Sequence, residues 1–464
     1  RSGSLGVTFK TAPCYMKYRL APRVALPLIA ALAGCATHAP AANRSSTGTA
    51  NSPTANATSQ NNGRSRPASG GAESRAGQSA PAGVDGRDAA GFARWVAGFV
   101  RRAQAQGVSD ATLNSAFADV EFLPHVIELD HRQPEFNRAI WDYLDTAVSP
   151  TRIVHGRDKL ATYRNTANRV AARYGVPGAV IVAIWGIESN YGANFGNYET
   201  IDALATLGYD GRRESFAENQ LYAALKILAA GDISRSEMRG SWAGAMGNTQ
   251  FLPTSFLAYA VDADGDGRRD IWGSIPDTMA STANYLAENG WRTGQPWGRE
   301  AVLPAGFDYA QVGGETRKST AAWRAQGVQA IDARGLPDFD SAAIIAPAGA
   351  SGPAFMVGPN FRVILRYNNA TSYALAVGLL SDRIVGAPGV RQSWPRAEKS
   401  LSRDQVRTLQ RDLNILGYGS GAPDGIVGPN TRKAVRAFQG AHGMIADGFP
   451  TQSLLHKVRA AVGG

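Results

Sequence analysis

From Asp88 onward the chain carries apolar residues at helical spacing. Phe92, Trp95, Val96, Phe99 and Val100 recur on one face, and similar patterns run to about residue 230. The run Ala179-Val-Ile-Val-Ala-Ile-Trp185 differs from its neighbours because it holds no charge until one acid, Glu188, at its end. On a helix, Ile181, Ile184, Trp185 and Glu188 fall on one stripe. Between about residues 295 and 360 the pattern loosens into Gly-rich, partly alternating segments that predict a few strands, and a helix resumes over Ala370–Leu380. Residues 387–400 read as a linker, with the main ordered region spanning 88–386. The last segment, 401–464, predicts a separate small helical unit. Its Val406, Leu409, Leu413 and Leu416 form one stripe closed by Gly417, and a turn over Asp424–Thr431 leads into Ala434, Val435 and Phe438. Phe438-Gln439…Asp447-Gly448 is a shorter echo of Leu409-Gln410…Asp424-Gly425. The predicted class is mainly α (α+β), with a small β-containing region.

With 464 residues, 44% of them hydrophobic, the chain is long enough for more than one core. The net charge of +10 invites a nucleic-acid reading, but residues 1–87 hold ten Arg or Lys against two acids. The remainder is therefore close to neutral, without a basic patch interleaved with aromatics, and no nucleic-acid partner is expected. The two cysteines, Cys14 and Cys35, both precede the ordered region, so that region has no internal disulfide. Met16 is a candidate start. Lys17, Arg19 and Arg23 then give a basic n-region, and Val24–Ala33 gives an apolar run too short to span a bilayer. Leu32-Ala-Gly-Cys35 resembles a bacterial lipoprotein cleavage box. That resemblance makes residues 1–35 a signal peptide and Cys35 the lipidated residue. Ala36 in place of an aspartate implies an outer-membrane lipoprotein facing the periplasm. Residues 36–87, almost devoid of large apolar side chains, read as a flexible tether.

Two constellations carry candidate chemistry. A carboxylate at the end of an apolar helix is costly to ionise, so the pKa of Glu188 is expected above the usual ~4.3, suiting it to protonate a leaving oxygen. The alternative is a helix-terminal glutamate pointing into solvent. Glu199, Asp202, Asp210 and Glu214 follow in sequence but lie in ordinary helix ends and turns, so no second catalytic carboxylate stands out. The second constellation is Asp262-Ala-Asp264-Gly-Asp266-Gly-Arg268, with carboxylates at loop positions that suit Ca2+ and Arg268 offering its backbone carbonyl. Position 12 of that loop is Gly273 and not a glutamate. The six histidines form no close ligand pair of metalloprotease type, which disfavours a metal-dependent amidase.

Glu188 lies within Gly186-Ile-Glu-Ser-Asn-Tyr-Gly192. Together with Ser241-Trp-Ala-Gly-Ala-Met-Gly-Asn-Thr-Gln250-Phe-Leu-Pro-Thr-Ser255, Ala283-Asn-Tyr285 and Arg366-Tyr367-Asn368…Tyr373, this segment resembles the membrane-bound lytic murein transglycosylase B family, glycoside hydrolase family 103. The C-terminal unit resembles a peptidoglycan-binding domain. The resemblance implies a lysozyme-like helical core that cleaves the MurNAc–GlcNAc β-1,4 bond to leave 1,6-anhydroMurNAc ends, with Glu188 as acid and base. It implies substrate contacts from Arg212, Arg213, Trp242, Gln250, Tyr285, Tyr367, Asn368 and Tyr373, with Gly244 and Gly247 giving a sugar close access to the backbone. It also implies that Asp277 closes the Ca2+ loop, the metal being structural. No organic cofactor is expected; the partners are glycan strands and a lipid anchor, and the protein is expected to be a monomer. Two other readings compete: a muramidase that admits water, and a non-catalytic wall-binding lipoprotein.

Overall fold

The computed structural model describes residues 87–131 and 138–463. Residues 1–35, with Cys35, and the tether up to residue 86 lie outside the described residues.

Local signals set the helix boundaries. Asp88 caps Ala89–Ala105 by accepting from the Gly91 N–H, and Ser149 does the same for Pro150–Thr162. Ser402 and Gln405 form a reciprocal capping box at the start of Arg403–Ile415. The uninterrupted apolar run becomes the helix Gly178–Ser189, which is buried on every side from Ala179 to Gly186. The expected single stripe is thus replaced by a core helix with no polar face. Around it pack Thr371–Ile384, Ile275–Glu288, Pro150–Thr162 and Arg164–Tyr174. Among the described residues no single helix is long and apolar enough to cross a membrane.

A second core gathers Phe92, Val96 and Phe99 with Leu113, Leu204, Leu221, Leu225 and Phe256 from the helices Ala89–Ala105, Asp110–Phe117, Thr200–Asp210, Glu214–Ala230 and Pro253–Tyr259. Tyr285 and Tyr367 pack against both cores and mark the seam between them. The loose Gly-rich region folds into a four-stranded antiparallel sheet, in the order Gln329–Ala330, Gly298–Val302, Ala354–Val357, Ala343–Ile345. Trp323, Phe339 and Ile344 form the core beneath it. Periodicity left several helices unresolved, among them Ile275–Glu288, whose buried face is largely Ala, Ser and Thr, and Pro359–Tyr367, which follows its strand with only Gly358 between.

Residues 387–400 form no helix or strand but are held along their length. Both oxygens of buried Glu300 accept backbone N–H groups, from Arg391 at 2.8 Å and Gln392 at 2.7 Å. Trp394 lies against Trp141 and Phe355, and Arg396 forms a two-pronged ion pair with Asp145. The C-terminal helices Arg403–Ile415, Pro429–Ala441 and Gln452–Val462 close over Leu409, Val435, Phe438 and Val458.

Candidate active site

Glu188 sits in the last turn of the buried helix, which stops because Asn190, Tyr191 and Gly192 all adopt left-handed backbone angles, φ 49°, 60° and 86°. Three consecutive residues of that kind turn the chain sharply away and leave the glutamate at the seam. Asn248 holds this turn. Its carbonyl oxygen accepts from Trp185 Nε1 at 2.9 Å and Ser189 Oγ at 3.4 Å, while its amide donates to the carbonyls of Ile271 and Trp272. A side chain on Gly192 would meet Asn248 at 2.7 Å, so glycine is required there.

Glu188 is half-buried, and its environment is aromatic. Tyr373, fully buried on Thr371–Ile384, donates its hydroxyl to Glu188 Oε1 at 2.5 Å. Burial pushes the Glu188 carboxyl up to about 7, and the Tyr373 hydrogen bond opposes part of that rise. Burial and then the Glu188 charge raise the hydroxyls of Tyr143, Tyr367 and Tyr373 above the ordinary tyrosine value. Those three tyrosines therefore stay protonated, and each keeps a hydroxyl proton to donate in a hydrogen bond. Tyr143 was not singled out from sequence; it lies on the short helix Ile140–Ala147, where its signal is an ordinary half-buried aromatic.

The acids that follow Glu188 in sequence are engaged elsewhere. Glu199 and Asp202 pair with Arg235, Asp210 pairs with Arg87 and His131, and Glu214 accepts from Trp95 Nε1. None of them faces Glu188 as a second catalytic carboxylate, the arrangement that two-carboxylate glycosidases use.

The expected substrate residues divide. Tyr373, Tyr367 and Tyr285 converge at the seam, where Tyr367 stacks on Tyr373 with centroids 6.4 Å apart and contacts Tyr285 at 4.7 Å. Tyr367 donates to the Thr249 carbonyl and Tyr285 to the Arg366 carbonyl, so both hydroxyls fix the walls of the site. Asn368 is buried at the end of Pro359–Tyr367. Gln250, with φ 51°, commits its Nε2 to the carbonyls of Phe195 and Gly247.

Others have partners within the protein. Arg212 and Arg213 both pair with buried Asp130, and Arg212 keeps 44% of its side chain exposed. Trp242 is buried against Val126, Ala203, Leu207 and Ala217. The open faces of Gly244 and Gly247 are turned to Leu204 and Ile271, so these glycines serve chain-on-chain packing with positive φ.

In the acidic loop, Asp262, Asp264 and Asp277 bring carboxylate oxygens within 4.8 Å of one another. Asp277 is fully buried and takes backbone N–H bonds from Ala263 and Asp270, while burial raises its pKa. Asp266 stands outside that group; it accepts from the Arg268 N–H and pairs with the Arg268 side chain.

A mostly helical fold with one protonatable glutamate in an aromatic cleft defines the class: a lysozyme-like glycan-cleaving enzyme. Residues 91–382 match the Transglycosylase SLT domain, and the chain belongs to that family. Residues 402–457 match a peptidoglycan binding domain. The chain is 32% identical over 255 residues to membrane-bound lytic murein transglycosylase B of Escherichia coli, covering 53% of this chain and 68% of the relative. It is 50% identical to SltB3 from Pseudomonas aeruginosa, over 79% of this chain and 99% of that one. The TM-scores are 0.77 for the SltB3 complex with NAG-NAM-pentapeptide and 0.76 for that with NAG-anhNAM-pentapeptide. The lytic transglycosylase SLT35 of Escherichia coli, in complex with calcium, matches at 29% identity with a TM-score of 0.55, over 63% of this chain and 92% of that one.

Proposed function

We propose that Glu188 is the sole acid and base of the lytic transglycosylase reaction that this chain performs on peptidoglycan. The observation that carries the reading is a carboxyl held near pKa 7 by burial, with a tyrosine hydroxyl as its hydrogen-bond donor and its neighbouring acids tied up elsewhere. Glu188 gives its proton to the leaving O4 of GlcNAc as the C1–O4 bond breaks. The MurNAc C6 hydroxyl then attacks C1, and its proton returns to the Glu188 carboxylate. The C1–O6 bond closes a 1,6-anhydro ring, no water is consumed, and the enzyme is restored. Tyr373 stabilises the carboxylate in the interval after the first transfer and before the second. A relative binding NAG-anhNAM-pentapeptide supports this product class.

Calcium is assigned to the acidic loop. The donor set fits a hard cation: Asp262, Asp264 and Asp277 would hold it, with Asp266 and the Arg268 carbonyl as further candidates. The ion's contribution is to the stability of the loop. The C-terminal domain serves attachment to peptidoglycan. Cys35 is the site of lipidation, which would tether a monomeric enzyme to the outer membrane.

The decisive experiment is mass spectrometry of soluble products from purified murein sacculi, with Glu188→Gln as control. Products lighter by one water than reducing-end muropeptides, and absent with the variant, are expected. Reducing ends would establish a hydrolase instead, and unchanged products from the variant would remove Glu188 from its role.

A further inference from the structure

The C-terminal domain contains the same hydrogen-bonded unit twice. In the first copy Gln410 Nε2 donates to Asp424 Oδ1 at 2.9 Å, Gln410 Oε1 accepts from the Gly425 N–H, and the Ile426 N–H donates to Asp424 Oδ1. In the second, Gln439 Nε2 donates to Asp447 Oδ1 at 2.7 Å, Gln439 Oε1 accepts from the Gly448 N–H, and the Phe449 N–H donates to Asp447 Oδ1. Each unit leaves the aspartate's other oxygen facing outward beside an apolar residue. The two copies then differ in what they meet.

The second copy is occupied by the catalytic domain. Asp447 Oδ2 accepts the Ala350 N–H at 2.9 Å. Preceding that amide is Gly349 at φ 64°, and an L-side chain there would lie 2.4 Å from Asp447 Oδ2 and 2.7 Å from Phe449. A D-residue differs: positive φ is its favoured region, and its Cβ leaves the backbone on the opposite side. The segment seated on Asp447 therefore has the backbone shape of a D-residue followed by a peptide amide. In the first copy Asp424 and Ile426 are exposed, Ile426 at 59%, and among the described residues nothing hydrogen-bonds Asp424 Oδ2.

We infer that the Asp424–Ile426 edge is the ligand site of this domain and takes a backbone amide that follows a D-residue in a peptide, as in the stem peptides of murein. The docked Gly349–Ala350 turn is an internal analogue of that ligand. The inference rests on the domain's assignment to peptidoglycan attachment and places that attachment on the peptide rather than on the sugar.

The test is co-sedimentation with intact sacculi, using the full chain carrying Glu188→Gln so that the glycan is not cut. Asp424→Asn keeps the Oδ1 acceptor but replaces Oδ2 with a donor that opposes an incoming N–H. Its affinity for sacculi is expected to fall at least about tenfold, with an unchanged melting temperature. The pentapeptide L-Ala-γ-D-Glu-L-Lys-D-Ala-D-Ala should displace the parent chain, and its all-L diastereomer should not. Ile426→Ala, at a position outside the core, should show the same loss and guards against a folding defect in the first variant. Undiminished sedimentation of both variants, or equal displacement by the two diastereomers, overturns the inference. Anhydro products from soluble glycan, read with Asp424→Asn in an otherwise native chain, should be unchanged, so the catalytic reading stands or falls separately.

Discussion

At the scale of residues, the proton on Glu188 is controlled by two opposed effects. Burial raises its pKa, and the Tyr373 hydroxyl lowers it by bonding to the ionised form. Tyr373→Phe removes only the lowering effect, so the pKa should rise further. Because the first step of the proposed mechanism needs the protonated acid, the alkaline limb of the kcat/KM profile should move to higher pH. The rate should drop about tenfold from lost stabilisation of the carboxylate. A profile unmoved on its alkaline side would show that the hydrogen bond does not set this pKa. The same shift predicts a stability effect. A carboxyl whose pKa rises on folding binds more protons in the native state between its unfolded and folded values. Its contribution is therefore fully present below the unfolded value of 4.5 and is lost as pH rises through about 7. Glu188→Gln should accordingly stabilise the protein at pH 8 by up to about 3 kcal/mol and by little at pH 4. Denaturant unfolding at the two pH values checks this.

At the scale of elements, sequence disclosed the acid but not the apparatus that holds it. Glu188 was legible because it is the only charge near an apolar run, a purely local signal. Tyr373 reaches it from 185 residues away, and no spacing announces such a contact. The partner of the arginine pair was hidden for the same reason, since Asp130 lies 82 residues upstream of Arg212. Asn248 is the clearest case: an unremarked amide between Gly247 and Thr249 that ties the end of the catalytic helix to the end of the acidic loop. Its replacement by Ala would strand the Trp185 N–H and two carbonyls in a buried site. We expect a loss of about 2–3 kcal/mol by urea unfolding, with kcat falling more than KM rises. The acidic loop joins the same network through Asp270, whose N–H donates to Asp277 and whose carboxylate accepts the N–H groups of Trp272 and Gly273. Chelation of calcium should lower the melting temperature of the parent chain, whereas Asp277→Asn should melt early and no longer respond to chelator. An identical response in both would place the metal elsewhere.

At the scale of the whole molecule, the question is whether the C-terminal domain is a passenger on a loose linker. Composition alone, with Ala387-Pro-Gly and Ser393-Trp-Pro395, reads as a linker. The structure gives those residues specific partners. Glu300 holds two successive backbone amides, Trp394 is wedged between Trp141 and Phe355, Arg396 is forked onto Asp145, and Asp447 takes the Ala350 amide. Of these, the exposed Arg396–Asp145 pair contributes little, because water screens both charges. Glu300 matters more, because a buried carboxylate satisfied by two N–H donors leaves both donors unpaired when it is removed. The linker's arginines then become a readout of its state, since a protease must draw a segment into extended form to cut it. Trypsin should leave the parent chain intact at Arg391 and Arg396 while Glu300→Ala is cut there at least about tenfold faster, releasing a fragment that begins after one of these sites. The catalytic domain of the variant should retain its activity on soluble glycan, because Glu300 touches the linker and not the cleft. If cleavage at Arg391 and Arg396 is equally fast in both proteins, the linker is already open and the domains are coupled only by the chain.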